Sequence, residues 1–106
     1  MASFNDISKC PYREKEEFTS ANILEAEVAT TGYCGGDSGH GGRTYFSLKD
    51  ICSTDIDFRT TEDEYGSKRI EIMLGGDCEL DTFIDSLRWA AETLERMADS
   101  KHHKVD

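Results

Sequence analysis

The sequence predicts an α+β domain: an antiparallel four-stranded β-meander packed against one long C-terminal helix (ββββα), with a loosely structured N-terminal arm. Three observations carry this reading. Four segments alternate apolar and polar residues with period two, turn-forming residues separate them, and the last third of the chain carries an apolar stripe at helical spacing.

Residues 1–21 scatter Phe4, Ile7, Tyr12 and Phe18 among polar residues around Pro11, and are expected to lie on the domain as an arm or to fray. The single α+β domain then spans 22–101, and 102–106 form a tail. From Ile23 to Thr31, Leu24, Ala26 and Val28 alternate with Glu25, Glu27 and Ala29, which predicts a strand with one apolar face. Thr44–Lys49 alternates again, with Phe46 and Leu48 expected inward, so the two strands make a hairpin with a long loop. Ile56–Thr60 and Arg69–Leu74 form a second hairpin around the acidic turn Glu62-Asp63-Glu64-Tyr65-Gly66-Ser67. Four such strands in succession suggest a meander.

After Gly75-Gly76-Asp77 the spacing predicts a helix from about Glu79 to Asp99. Its stripe is Leu80, Phe83, Ile84, Leu87, Ala91, Leu94 and Ala98, expected to cover the apolar face of the sheet. Asp77 or Asp81 suits its start, and Lys101, His102, His103 and Lys104 suit the negative end of its dipole. Trp89 lies off the stripe, which leaves it as an edge-of-core residue or an interface anchor.

Composition narrows the function classes. With 22 acidic against 12 basic residues and a net charge of −10, direct binding to nucleic-acid backbone is not expected. A basic protein partner, or a small ligand in a locally positive pocket, fits that charge. No apolar run approaches the ~18 residues of a membrane span, and no signal-peptide core is present, so a cytoplasmic location is expected. Cys10, Cys34, Cys52 and Cys78 form no CxxC pair and read as free thiols. A zinc site from Cys34, His40, Cys52 and Cys78 would lack the paired ligand spacing of structural zinc, so no metal or cofactor is expected.

The stretch that concentrates chemistry is Gly35-Gly36-Asp37-Ser38-Gly39-His40-Gly41-Gly42-Arg43, between the first two predicted strands. Gly36–Gly39 matches the GDSG around a serine-protease nucleophile, but no upstream histidine stands ready as base, and neither a P-loop nor a GxGxxG pattern is complete. What the residues offer is a nest. Successive glycines let backbone N–H groups converge on an oxyanion, Arg43 adds a charge at the rim, and Ser38, His40 and Thr44 add donors. Gly75 and Gly76, before the helix N-terminus, are a second candidate anion contact, weakened by Asp77. The ligand-binding candidates are therefore Gly35, Gly36, Ser38, Gly39, His40, Gly41, Gly42, Arg43, Thr44, Gly75 and Gly76. No catalytic residues are assigned.

The two blocks GGDSGHGGRTYFSL (35–48) and IEIMLGGDCELDTFIDSLRWA (70–90) together resemble small acidic proteins of bacteriophages and mobile elements that include anti-defence inhibitors. The resemblance implies one of two modes of action. One is sequestration of a cyclic-nucleotide or cyclic ADP-ribose signal. The other is obstruction of a defence enzyme's nucleic-acid groove.

These readings lead to a non-enzymatic, homo-oligomeric binding module that captures a small phosphate-bearing ligand with the glycine-rich loop. The alternative is an acidic, nucleic-acid-mimicking inhibitor of a host defence protein, with Glu62, Asp63, Glu64 and Trp89 as its contacts.

Overall fold

The computed structural model describes residues 3–33 and 42–102. A 3-10 helix, Phe4–Lys9, leads into β1 (Tyr12–Thr19) and β2 (Ile23–Thr30). Beyond the glycine-rich stretch come β3 (Thr44–Cys52), β4 (Ile56–Glu62), β5 (Lys68–Leu74) and α1 (Asp77–His102). The described residues are thus α+β, with five strands in two antiparallel sheets, β1-β2-β3 and β4-β5, and one C-terminal helix. Both expected hairpins form. The expected single four-stranded meander does not.

The first correction is at the N-terminus, where β1 takes the place of an arm. It pairs with β2 along its whole length, from Tyr12 opposite Thr30 to Thr19 opposite Ile23. Five of its eight residues, Arg13 to Glu17, are charged, a composition poor in strand formers, so local preference gives no signal. Tertiary contacts hold it instead. Tyr12, Glu14, Glu16 and Phe18 share the face beneath α1. Phe18 meets Trp89 edge-on at 5.9 Å between ring centres, and Arg96 donates to Glu14 at 2.6 Å. The 3-10 helix is fixed as well: Asp6 accepts from the Ser3 amide, and Arg13 donates to the Ile7 carbonyl at 3.1 Å.

The second correction is the departure of β4 and β5 from the main sheet. At the end of β3, Ser53 adopts φ 58°, and the Thr54 amide donates to Asp50. Thr54 is drawn inward, accepting from Asn22 Nδ2 at 3.0 Å and donating to the Ile23 carbonyl. The same Asn22 amide group donates to Thr82 of α1 at 3.0 Å. This buried junction turns the chain away from the edge of β3. The β4–β5 hairpin therefore projects, and neither of its strands makes an extended contact with α1 or with the three-stranded sheet.

The third correction concerns α1. Its buried residues are Thr82, Ser86, Ala90, Thr93 and Met97, not the predicted apolar stripe. At 100° per residue the two stripes are about 120° apart around the helix. Small side chains bring the helix close to β2, whose Leu24, Ala26 and Val28 are fully buried. The hydroxyls of Thr82 and Ser86 donate to carbonyls of the preceding helical turn, so their burial leaves no donor unpaired. Trp89 borders this buried stripe, packing with Tyr12 and Leu94 around Val28, Ala90 and Met97. Leu80, Ile84 and Leu87 stand 50%, 40% and 43% exposed. Phe46 was expected inward and is on the helix side of the sheet, but α1 lies over β1 and β2 and leaves it 42% exposed.

Candidate ligand-binding site

The described residues define the neck from which the glycine-rich loop emerges. Thr31 N donates to the Arg43 carbonyl and Arg43 N donates to Thr31 Oγ1, both at 2.9 Å. The Thr30 and Thr44 hydroxyls are 3.0 Å apart, and Gly32 N donates to Thr30 Oγ1 at 3.0 Å. The two segments cross so closely that a Cβ on Gly42 would overlap the Gly32 carbonyl oxygen. Gly32 itself has φ 81°. Here glycine is required by contact and by backbone conformation, independent of any ligand.

A cleft of about 300 Å³ lies on one side of the neck, between the 3-10 helix and β3, with Asp6, Cys10, Arg43 and Tyr45 among its walls. On the other side, a cleft of about 500 Å³ separates the neck from the C-terminal half of α1. Its walls include Thr30, Gly32, Tyr33 and Thr44 opposite Leu94 and Glu95.

Arg43 bridges the neck to the N-terminal segment. Its Nε donates to Asp6 Oδ2 at 2.8 Å, with side chains only 11% and 14% exposed, and its Nη1 donates to the Gly42 carbonyl at 3.2 Å. The guanidinium is thus turned toward the 3-10 helix and partly neutralised there. Cys10 joins the same junction, its Sγ lying 3.7 Å from the carbonyls of Asp6 and Arg43. Burial pushes the Cys10 thiol pKa up, with Asp6 acting in the same direction and Arg13 against both.

Of the expected ligand contacts, Gly42, Arg43 and Thr44 belong to this neck. Gly35, Gly36, Ser38, Gly39, His40 and Gly41 lie outside the described residues. Gly75 and Gly76 lie far away. They adjoin Asp55 and Glu79 near the start of α1, whereas the neck faces Ala91–Ala98, about 20–30 Å along the helix at 1.5 Å per residue. Within one chain the loop neck, Gly42 to Thr44, and Gly75-Gly76 do not meet.

Gly75 and Gly76 also have structural reasons of their own. A Cβ on Gly75 would overlap the Asp55 carboxylate, and Gly76 has φ 107° with Glu79 pressed against it. Three carboxylates, Asp55, Asp77 and Glu79, thus occupy the region where an anion was expected.

The candidate partner contacts divide in the same way. Glu62, Asp63 and Glu64 are exposed around the β4–β5 turn, where Asp63 Oδ1 accepts from the Tyr65 and Ser67 amides at 2.9 Å. Trp89 is half-buried against Phe18. Cys34 and His40 of the considered zinc set lie outside the described residues. Among the described residues, no group of three or more His, Cys, Asp or Glu is placed to hold a metal.

Thr30, Thr31, Tyr33 and Asp6 were not singled out from sequence. The Thr30-Thr31-Gly32 run facing Gly42-Arg43-Thr44 across a hairpin was a readable signal for the neck. For Asp6 there was none, because its partner is 37 residues away.

No protein-family model, curated protein or solved structure matches this chain. No helix among the described residues is long and apolar enough to cross a membrane.

Proposed function

We propose that this chain is a non-enzymatic, cytoplasmic binding module of the phage anti-defence kind, which sequesters a small phosphate-bearing, nucleotide-type signal through the Gly35–Thr44 loop. The observation that carries the reading is the hydrogen-bonded neck beside the 500 Å³ cleft. A long glycine-rich segment is held at both ends by a network that needs glycine and threonine, and it opens next to a recess of ligand size. Tyr33, 57% exposed on the cleft wall, offers an aromatic face to a base. Glu95 offers an acceptor to an exocyclic amine or a ribose hydroxyl, leaving the phosphate to loop amides.

The test is to titrate cyclic dinucleotides, cyclic mononucleotides and cyclic ADP-ribose into the protein, then denature the complex and identify what is released. Stoichiometric recovery of intact ligand supports sequestration, and recovery of a cleaved product replaces it with an enzyme. If Tyr33 stacks on a base, Tyr33→Ala weakens binding by about 5- to 150-fold, at roughly 1–3 kcal/mol per stacked base.

The net charge of −10 and the exposed acidic turn favour a second reading, an inhibitor that covers the nucleic-acid site of a defence enzyme. Charge reversal at Glu62 and Glu64 then weakens partner binding and flattens its salt dependence. Asp63 is spared in that variant because it holds the turn. An unchanged salt slope rejects this reading.

A further inference from the structure

We infer that two apolar faces left uncovered in one chain cover each other between copies: the β4–β5 hairpin of one protomer lies on the Leu80-Ile84-Leu87 stripe of α1 in another. The inference is independent of the ligand reading and rests on three observations.

The first is area. A compact monomer of 11.9 kDa exposes about 6,000 Å², whereas this chain exposes 7507 Å². The excess of about 1,500 Å² exceeds the roughly 800 Å² per partner that a standard stable interface removes. The radius of gyration, 15.7 Å against about 13 Å for a compact chain of this length, says the same.

The second is a pair of exposed apolar faces. In the hairpin register, Ile56 faces Leu74, Phe58 faces Ile72 and Thr60 faces Ile70, which puts five apolar side chains on one side. Ile70 is 70% exposed and Phe58 41%. The matching surface is the stripe on α1, where Leu80, Ile84 and Leu87 are exposed. The hairpin does not cover its own helix: it leaves the body beside the start of α1, where Asp55 N donates to Glu79 at 3.4 Å, and makes no extended contact with α1.

The third is permanence. A two-stranded hairpin without a covering layer is at best marginally stable in water. Its cover must be present whenever the chain is folded, and the partner that satisfies this condition is another copy. Reciprocal exchange closes the assembly at two chains, and a cyclic arrangement closes it at more.

Native mass spectrometry and light scattering of the wild-type chain at about 50 µM should give a multiple of 11.9 kDa. Amide exchange across 56–74 should be slow in that state and speed up on dilution through the dissociation range. Ile70→Asp on the hairpin and Leu87→Asp on the helix should each raise the dissociation constant by about a hundred-fold or more, because each places an unpaired carboxylate in an apolar contact. The inference falls if the wild-type chain is monomeric at 50 µM. It also falls if the chain is oligomeric but neither substitution shifts the equilibrium. Should a variant fail to fold, the wild-type mass and exchange data still decide.

Discussion

Arg43 is the residue for which ligand binding and fold support make separable claims, and a double-mutant cycle with Asp6 separates them. The pair is largely buried, bonded at 2.8 Å, and joins the loop neck to a segment 37 residues earlier. A charge-assisted hydrogen bond contributes about 1.5–3 kcal/mol before the cost of taking both ions partly out of water. A coupling of about 1–2 kcal/mol is therefore expected between Arg43→Ala and Asp6→Ala. The single Arg43→Ala variant should lose slightly more, about 2–3 kcal/mol, because the Asp6 carboxylate keeps the Ser3 amide but loses its countercharge. In urea this appears as a midpoint lowered by roughly 1–2 M. All four proteins must be compared at one chain concentration, since oligomerisation contributes to apparent stability. Additive effects, with coupling below about 0.3 kcal/mol, would refute the clamp. In that case, loss of ligand affinity in Arg43→Ala at unchanged stability would return the guanidinium to the ligand.

Three further outcomes follow from the structure. Cys10 should react with a thiol reagent at pH 8 far more slowly than the exposed Cys52, because it is buried and its raised pKa keeps it protonated; equal rates would mean that the 3-10 helix does not cover it. Gly42→Ala should destabilise the chain and raise exchange at the Thr31 and Arg43 amides, since its Cβ overlaps the Gly32 carbonyl oxygen; an unchanged midpoint would contradict the close crossing at the neck. Hydrogen bonds from Arg59 and then Arg69 hold the Glu71 carboxyl below the usual range. The folded-state pKa is depressed, so the pairing contributes above the unfolded-state pKa and fades as pH falls through the folded value. A carbon-detected titration that puts Glu71 at the ordinary value of about 4.3 would count against it.

How much of this was legible in the sequence varied with the kind of signal. β2 shows cleanly because Leu24, Ala26 and Val28 alternate against glutamates, and the β4–β5 hairpin shows because Gly66 and the acidic turn separate two alternating runs. β1 was hidden because its strand character comes from β2 and from distant partners, Trp89 and Arg96, that local pattern cannot report. The break between β3 and β4 was hidden for a similar reason. It depends on Asn22 bonding Thr54 and Thr82, residues 32 and 60 positions away. Of the site, the sequence marked the glycine-rich loop. It did not reveal that Gly32 and Gly42 are required for chain crossing, or that Arg43 is occupied by Asp6.

The helix gives the most informative disagreement. Periodicity finds the most apolar stripe on α1 and assigns it to the core, an inference that holds when a helix has one partner layer. Here the layer beneath is reached by a second stripe of small and hydroxyl residues, from Thr82 to Met97, in which the Thr82 and Ser86 hydroxyls donate to carbonyls of the helix itself. Close approach to a flat strand needs small side chains more than apolar ones. The larger residues are left on another side, where they form a continuous band: Leu80, Ile84 and Leu87 are open near the helix start, and Leu94 and Ala98 line the cleft beside the loop neck near its end. On the proposals above, one band carries an interface between copies at one end and a ligand wall at the other, with Ala91 between them. A ligand that seats against Leu94 then lies within one or two helical turns of the exchanged hairpin. Oligomer dissociation by Leu87→Asp should therefore lower ligand affinity, although Leu87 is not itself in the cleft. Ligand should in turn tighten the oligomer by the same factor for each site filled, as reciprocity of coupled equilibria demands. Equal ligand affinity in the wild-type and dissociated chains would show that the two ends of the band work independently.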